Sequence, residues 1–235
     1  MTTTLITGAN KGLGFETARR LVAAGNTVYL GSRDAERGHR AAEELGARLI
    51  LIDVTDDASV AAAAKAVEAG GGLDVLVNNA GIEGRTGDNR VVGAAEVTAD
   101  QMRTLFETNV FGAVRVTRAF LPLLQRSAAP VVVNVSSGLA SVARVTDPGD
   151  PASAYPGLAY PASKAALNMV TVQYAKAFPS IRINAVEPGF TATDLNGRTG
   201  IQTVEEGAEI IVRMAQLGPG GPTGGYFDVE GPLPW

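Results

Sequence analysis

Short apolar segments alternate with amphipathic segments along almost the whole chain, and this alternation restricts the fold more than any other feature. Seven segments have the length and composition of strands: "TTLIT", "TVYLGS", "RLILID", "DVLVNN", "PVVVNVSS", "RINAV" and "GGYFDV". Between them, the periodicity predicts helices over residues 13–24, 35–45, 57–69, 99–126, 160–177 and 204–217. Strands and helices that alternate in this way predict an α/β fold with a mainly parallel sheet of about seven strands, covered by helices on both faces.

Two helix starts carry the spacing of a capping box, Thr98 with Gln101 and Thr203 with Glu206. The longer irregular segments cover residues 81–97, 138–157 and 189–202. We expect them at the carboxyl edge of the sheet, where open α/β sheets bind ligands. No repeat or linker interrupts the pattern, so the sequence predicts one domain over residues 1–235.

The segment "TGANKGLG", residues 7–14, lies between the first predicted strand and the first predicted helix. We expect Gly8 to permit a tight turn, Gly12 to let the backbone approach a pyrophosphate, and Gly14 to let helix and strand pack closely. The unpaired N–H groups that begin the helix would then face the phosphates. This context predicts a dinucleotide site, with a purely structural glycine turn as the alternative.

The end of the second strand indicates which dinucleotide binds. An NAD site favours a carboxylate there for the ribose hydroxyls, whereas "YLGSRD" supplies Ser32 and Arg33. Lys11 in the glycine turn adds a second cation, and two cations suit a 2′-phosphate. The sequence therefore predicts NADP(H) in preference to NAD(H). Asp34 follows one residue later, and the alternative is that Arg33 and Asp34 simply begin an exposed helix.

Composition excludes several kinds of chemistry. The chain has no cysteine, and its one histidine, His39, lies in a polar helical segment. A thiol nucleophile, a Ser-His-Asp triad and a histidine-ligated metal are therefore poorly supported, and we expect no metal. The net charge is −4 with scattered basic residues, which argues against a nucleic-acid partner. Without a signal-like or membrane-spanning apolar segment, we expect a cytoplasmic protein.

The segment "LAYPASKAAL" places Tyr160 four residues before Lys164, so both side chains would lie on one face of a helix. A phenol can donate a proton to a carbonyl oxygen, and a nearby ammonium would lower its pKa. Taken alone, the pair has an ordinary alternative as two exposed helix residues. Asn109 could likewise satisfy backbone groups in a helix kink, and Ser137 could simply end a strand.

Taken together, these segments resemble the classical short-chain dehydrogenase/reductase family. The resemblance extends over nearly the whole chain and rests on "TGANKGLG", "LIDVTD", "LVNNAG", "NV", "VNVSS", "YPASK", "VEPGFTAT" and "GPTGGYF" in this order. It implies a doubly wound Rossmann fold of one domain and a catalytic tetrad of Asn109, Ser137, Tyr160 and Lys164. The tetrad's Ser137 would stabilise charge on the substrate oxygen, and Asn109 would hold a water that relays protons toward Lys164.

The same resemblance implies the cofactor site. Its expected members are Gly8, Asn10, Lys11, Gly12, Leu13, Gly14, Ser32, Arg33, Asp53, Val54, Asn79, Ala80, Gly81, Tyr160, Lys164, Pro188, Gly189, Thr191 and Thr193. Asp53 and Val54 would border the adenine, while the segment from Pro188 to Thr193 would lie by the nicotinamide.

Two departures from the family pattern affect this interpretation. Pro161 directly follows Tyr160 and lacks an N–H, so the helix should begin at residues 157–161. Ser137 and Tyr160 are 23 residues apart, wider than is usual in the family. The extra segment, rich in Pro, Gly and Asp, resembles that of carbonyl-reductase-like members, and we expect it and Tyr155 to wall a substrate pocket. The family implies a homodimer or homotetramer, while the insertion leaves a monomer open.

These observations favour NADPH-dependent reduction of a ketone or aldehyde to an alcohol, with a small-molecule carbonyl substrate. The alternatives are a 3-oxoacyl-thioester reductase and, from another class, a non-catalytic regulator that senses NADP. No basic docking patch for an acyl carrier protein is visible in the sequence, and a sensor has no need of both Tyr160 and Lys164. The substrate itself is not readable from the sequence.

Replacing Arg33 by Asp tests the predicted cofactor preference. The new carboxylate would repel a 2′-phosphate, so we expect NADPH to bind roughly tenfold more weakly or worse. Affinities for NADPH and NADH, measured by fluorescence titration, give the result, and the NADH affinity is the internal control. An equal loss for both cofactors, or a wild-type preference for NADH, would contradict the prediction.

Overall fold

One parallel sheet organises the fold. The computed structural model describes residues 2–235. Its strands are Thr3–Ile6 (β1), Thr27–Ser32 (β2), Arg48–Leu51 (β3), Val75–Asn78 (β4), Val131–Val135 (β5), Arg182–Val186 (β6) and Tyr226–Phe227 (β7). They pair in parallel in the order β3-β2-β1-β4-β5-β6-β7. The predicted seven-stranded, doubly wound sheet is confirmed, and its strand order reverses between β1 and β4, where ligand crevices form.

Helices connect successive strands. They are Gly12–Ala23 (α1), Ala35–Leu45 (α2), Asp57–Ala69 (α3), Ala99–Phe106 (α4), Ala113–Leu124 (α5), Val142–Val145 (α6), Ala159–Ala177 (α7) and Val204–Ala215 (α8). The predicted ranges 35–45 and 57–69 agree with α2 and α3 residue for residue. Helix α1 begins one residue earlier than expected, and α8 ends two residues earlier.

The long helical region predicted over residues 99–126 is confirmed from Ala99 to Leu124, but it is not one regular α-helix. A π-helical turn, Glu107–Gly112, separates α4 from α5. Inside that turn, Asn109 is buried and its side-chain amide bonds to the backbone of Ile82, in the loop after β4. A tertiary contact therefore accompanies the irregular turn, and helical periodicity alone does not reveal it.

Each face of the sheet has its own apolar core. On one face, Leu5, Leu76 and Val132 pack with side chains of α3, α5 and α7, including Phe120. On the other face, neighbouring strand residues such as Ile6 pack with side chains of α1, α2 and α8. Because successive strand residues point to opposite faces, burial on both sides explains why the strands read as continuous apolar runs.

Local signals at three helix starts agree with the structure. Both predicted capping boxes are confirmed: Thr98 bonds reciprocally with Gln101, and Thr203 with Glu206. Helix α7 begins at Ala159, within the predicted range of 157–161. Pro161 is therefore the third helical residue, where the missing N–H would have no partner inside the helix in any case.

The inserted segment before α7 contains short helical turns rather than irregular loop alone. Two 3₁₀ turns, Gly138–Ala140 and Pro151–Ala154, flank α6. Within this segment, Arg144 pairs with Asp150, with 2.7 Å between Nε and Oδ2. The segment is thus tied together by its own hydrogen bonds. Separately, none of the helices within residues 2–235 is long and apolar enough to cross a membrane.

The capping box of α8 yields a stability prediction. Thr203 accepts a hydrogen bond from the backbone N–H of Glu206 at 3.2 Å. Thr203→Ala removes that acceptor and should lower the free energy of unfolding by about 1 kcal/mol. Thr203→Ser keeps the hydroxyl and is the matched control. Urea unfolding of the three proteins measures the effect, and equal losses in both variants would contradict the capping role.

Candidate active site

A large cleft of about 1190 Å³ runs along the carboxyl edge of the sheet. It exceeds the roughly 300–1,000 Å³ of common ligand pockets, so a dinucleotide and a second molecule could share it. Nearly all of the predicted site residues line it. Those on its wall are Gly8, Asn10, Lys11, Gly12, Leu13, Arg33, Asp53, Val54, Asn79, Ala80, Gly81, Ser137, Tyr160, Lys164, Pro188, Gly189, Thr191 and Thr193. Gly14, Ser32 and Asn109 lie behind this wall.

Two glycines of the glycine turn, Gly8 and Gly14, leave no room for a Cβ. Gly8 has φ +64°, and a Cβ there would lie 3.0 Å from Cα of Ala80. A Cβ on Gly14 would lie 2.5 Å from Nδ2 of Asn79, whose amide donates to the carbonyls of Thr7 and Gly8 at 2.9 and 3.1 Å. Asn79 therefore stabilises the glycine turn through these hydrogen bonds. The sequence analysis had expected only a contact between Asn79 and the cofactor.

The first turn of α1 suits an anion. Among the described residues 2–235, the side chain of the N-cap residue Lys11 makes no hydrogen bond to the first helical turn. Backbone N–H groups at such a helix start favour phosphate. Because Gly8 and Gly14 bring the turn close to the sheet, the residues present fit the pyrophosphate of a nicotinamide dinucleotide.

Lys11 has another partner in this structure. Its Nζ donates to Oδ2 of Asp194 at 3.0 Å, and both side chains are about half exposed. The hydrogen bond from Lys11 holds the pKa of Asp194 below its usual value. The ion pair joins the glycine turn to the segment 189–202 across the mouth of the cleft. Lys11 was expected to serve as a second cation for a 2′-phosphate. In this structure it is paired with Asp194 instead.

The other end of the cleft carries Arg33. Its side chain is exposed and makes no hydrogen bond or ion pair within the part of the chain that the structure describes. Ser32 is buried and bonds to the backbone of Asp34. Asp34 caps α2 through the N–H of Arg37 and also pairs with that guanidinium. The carboxylate of Asp34 is therefore bonded within its own helix. The guanidinium of Arg33 lines the cleft and is exposed to a ligand.

Tyr160 and Lys164 lie on the first turns of α7, and both are buried. Nζ of Lys164 lies 5.7 Å from the centre of the Tyr160 ring and donates to the carbonyl of Val135 at 2.8 Å. Burial lowers the pKa of Lys164 to about 8. Ser137 lies two residues after β5. Its hydroxyl accepts from the N–H of Leu139 at 3.3 Å, and its interaction with the Tyr160 hydroxyl lowers the pKa of Tyr160.

The expected lowering of the Tyr160 pKa by Lys164 is wrong for this structure. Burial raises the pKa of Tyr160, and the negative charges of Glu83 and Glu187 raise it further. Only the hydrogen bond with Ser137 opposes them. The phenolate is therefore disfavoured, because desolvation outweighs any attraction to an ammonium that bonds to a backbone carbonyl instead.

Asn109 lies close to Lys164 but bonds elsewhere. Its Oδ1 accepts from the N–H of Ile82 at 2.9 Å, and its Nδ2 donates to Ile82 O and to Ser163 Oγ at 2.9 and 3.0 Å. A Cβ on Gly81 would lie 3.3 Å from Asn109 Oδ1 and 3.4 Å from Lys164 Nζ. The side chain of Asn109 thus satisfies backbone groups of Ile82, as the alternative interpretation proposed. Gly81 lies beside both Asn109 and Lys164.

Two other predicted residues, Thr191 and Thr193, lie in the segment after β6 and form contacts that stabilise it. The hydroxyl of Thr191, which is buried, donates to the carbonyl of Pro188 at 3.0 Å. Thr193 begins a 3₁₀ turn, Asp194–Asn196, and its methyl group lies over Gly12. This segment therefore covers the glycine turn and forms one wall of the cleft.

Four charged residues of the cleft were not named individually from the sequence, although Glu83, Arg85 and Arg144 lie in segments expected at the ligand-binding edge. Glu83 and Arg85 form a largely buried ion pair in the loop after β4, and Glu83 accepts a hydrogen bond from the Tyr155 hydroxyl. Glu187 directly follows β6, and burial raises its pKa although Arg144 opposes this effect. The available signal was position, since Glu83 and Glu187 both closely follow strands whose carboxyl ends meet at the cleft. Tyr155 lines the cleft, as expected.

A doubly wound parallel sheet with a glycine turn at its switch point is typical of dinucleotide-binding α/β proteins. A model of the short chain dehydrogenase family matches residues 2–203. The chain therefore belongs to the short-chain dehydrogenase/reductase family. It is an oxidoreductase of a family that binds a nicotinamide cofactor and acts on small carbonyl compounds.

Individual relatives include reductases. Short-chain dehydrogenase/reductase 1 of Saponaria officinalis is 36% identical to this chain, over 95% of this chain and 92% of that protein. The structure of salutaridine reductase from Papaver somniferum matches with a TM-score of 0.84 at 30% identity, over 97% and 99% of the two chains. An NADPH-bound carbonyl reductase from chicken fatty liver gives 0.85 at 27% identity, over 100% and 99%.

The buried ammonium of Lys164 predicts a pH-dependent stability difference. Its pKa is lowered from 10.5 to about 8, so above pH 8 the folded protein binds fewer protons than the unfolded chain, and stability rises with pH. Lys164→Met, which carries no charge, should therefore gain most over the wild type below pH 8, and the gain should shrink toward pH 10.5. Urea unfolding across this range measures it, with Lys176→Met on the exposed side of α7 as the control. A gain independent of pH would contradict the prediction.

Proposed function

We propose that the protein is an NADP(H)-dependent carbonyl reductase that converts a ketone or aldehyde to an alcohol. The observation that carries the proposal is that Tyr160, Ser137 and Lys164 line one cleft with the glycine turn. A dinucleotide bound at the glycine turn would extend along the same cleft toward these three side chains. Room then remains beside the inserted segment for a small substrate.

Two observations support NADP(H) as the preferred cofactor. Arg33 offers an exposed guanidinium at the cleft lip, while Asp34 is engaged in capping α2. A guanidinium binds a phosphate through charge-assisted hydrogen bonds. The structurally similar carbonyl reductase from chicken fatty liver is described as NADPH-bound. When bound, the nicotinamide supplies the hydride for reduction.

In the proposed mechanism, Tyr160 donates the proton to the substrate oxygen. Burial and neighbouring carboxylates raise its pKa, so the hydroxyl is protonated at neutral pH, as reduction requires. Ser137 interacts with the same hydroxyl and can donate to the substrate oxygen as negative charge develops there. Lys164, held by the Val135 carbonyl, brings a positive charge close to the tyrosine and can hold a ribose hydroxyl.

The substitution Tyr160→Phe tests the proton donor. Because general acid catalysis contributes about 10²–10⁴-fold, we expect kcat to fall by at least about 100-fold while the NADPH affinity stays within a factor of about two. Absorbance of reduced nicotinamide measures turnover, and fluorescence titration measures binding. Tyr174→Phe is the control, because Tyr174 stacks on Phe178 and does not line the cleft.

The substrate panel for this test contains ketones, aldehydes and 3-oxoacyl thioesters. Turnover of simple ketones or aldehydes supports the proposed carbonyl reductase. Turnover of the thioesters alone would replace it with a 3-oxoacyl-thioester reductase. Binding of NADPH without turnover of any compound would favour a non-catalytic sensor, and an active Tyr160→Phe variant would overturn the mechanism.

A further inference from the structure

The backbone carbonyl of Ser137 is held by a residue that lies outside the cleft. The hydroxyl of Tyr226, on β7, donates a hydrogen bond to this carbonyl. The N–H of Ala140 donates to the same oxygen at 2.8 Å, so both of its acceptor positions are used. Tyr226 is only 2% exposed and does not line the cleft. Its hydroxyl therefore contacts the backbone of Ser137 from the interior of the protein.

The backbone that precedes Ser137 is fixed as well. The N–H of Ser136 donates to the carbonyl of Val186 on β6 at 2.8 Å. The Ser136 hydroxyl donates to Oδ1 of Asn168 on α7 at 2.6 Å. Because the chain is anchored to β6 before Ser137 and to Tyr226 at its carbonyl, the backbone torsions of Ser137 have little freedom. These torsions set the direction of its Cα–Cβ bond, and hence the place of its hydroxyl.

The ring of Tyr226 is held by the segment that follows β7. Trp235 stacks on this ring, with 5.4 Å between the ring centroids and 20° between the planes. The N–H of Leu233 donates to the carbonyl of Tyr226 at 2.8 Å, and the N–H of Ala143 in α6 donates to the carbonyl of Trp235 at 3.2 Å. The indole is thus fixed between β7 and the inserted segment, and the stack keeps the phenol from tilting.

We propose that Tyr226 is a positioning residue for carbonyl reduction. Its hydroxyl fixes the backbone of Ser137 so that the serine hydroxyl points to the substrate oxygen, and Trp235 keeps the Tyr226 ring in place. The inference rests on the proposed function, in which the Ser137 hydroxyl stabilises the charge that develops on that oxygen. Such stabilisation depends on distance and direction, so a small displacement of the donor lowers the rate. Because Tyr226 lies outside the cleft, it acts through Ser137.

A double-mutant cycle tests whether Tyr226 acts through Ser137. Tyr226→Phe keeps the ring and removes only the hydroxyl, so kcat for ketone reduction should fall by about fivefold or more, while KM for NADPH stays within a factor of about two. In a Ser137→Ala background no serine hydroxyl remains to be positioned, so the same substitution should change the residual kcat by less than about twofold. A merely structural contribution would lower kcat by the same factor in both backgrounds.

The fluorescence of Trp235 separates the hydroxyl of Tyr226 from its ring. Trp235 is the only tryptophan in the sequence, so its emission maximum reports whether the stack survives in Tyr226→Phe. An unshifted maximum assigns a loss of kcat to the missing hydroxyl, whereas a shifted maximum would assign it to ring packing and count against the inference. Tyr174→Phe is the matched control, because the Tyr174 hydroxyl also donates to a backbone carbonyl, that of Val114 at 3.5 Å, away from the cleft.

A second variant tests the contribution of the stack. Trp235→Leu removes the stacking partner and keeps the Tyr226 hydroxyl, so kcat should fall in the same direction, and only when Ser137 is present. Circular dichroism reports folding in every variant. Equal losses of kcat in the two backgrounds, or an unchanged kcat in Tyr226→Phe, would overturn the inference and leave the proposed function standing. Absence of carbonyl turnover in the wild-type protein would overturn the proposed function, and the inference with it.

Discussion

The close contact between the glycine turn, which joins β1 to α1, and Asn79 at the end of β4 shapes the cleft. Gly14 has no Cβ, and the amide of Asn79 fills that space and bonds to the carbonyls of Thr7 and Gly8. Because β1 and β4 are neighbours in the sheet, this contact holds the crevice open at the reversal of strand order. The contact fixes the distance between the start of α1 and the end of β4. The π-helical turn and α7 lie on the other side of the cleft.

Much of the fold was predictable because its signals are local or periodic. Apolar strands buried on both faces, capping residues at Thr98 and Thr203, and the glycine turn each act within a few residues of the chain. The start of α7 followed from the chemistry of Pro161 alone. The family resemblance selected candidate site residues, and most of them line a single cleft. Such features need no knowledge of how distant segments meet.

What could not be predicted depends on contacts between distant segments. Glu83 lies in a segment that was expected at the ligand-binding edge, but its ion pair with Arg85 and its hydrogen bond from Tyr155 depend on tertiary packing. The irregular turn around Asn109 accompanies a contact with Ile82, 27 residues away. The direction of the Tyr160 pKa was mistaken for the same reason, since the burial and remote carboxylates that raise it are absent from the local "YPASK" segment. Electrostatics inside a cleft follow from tertiary structure.

The ion pair between Lys11 and Asp194 is sensitive to the ionic strength of the solution. It joins the glycine turn to the segment that covers it. Both side chains are about half exposed, and dissolved ions screen such pairs over distances of about 8 Å at physiological ionic strength. Salt therefore weakens the contact without disturbing the buried groups of the cleft. The attraction between these two segments therefore falls as ionic strength rises, whereas hydrogen bonds between buried groups of the cleft change little.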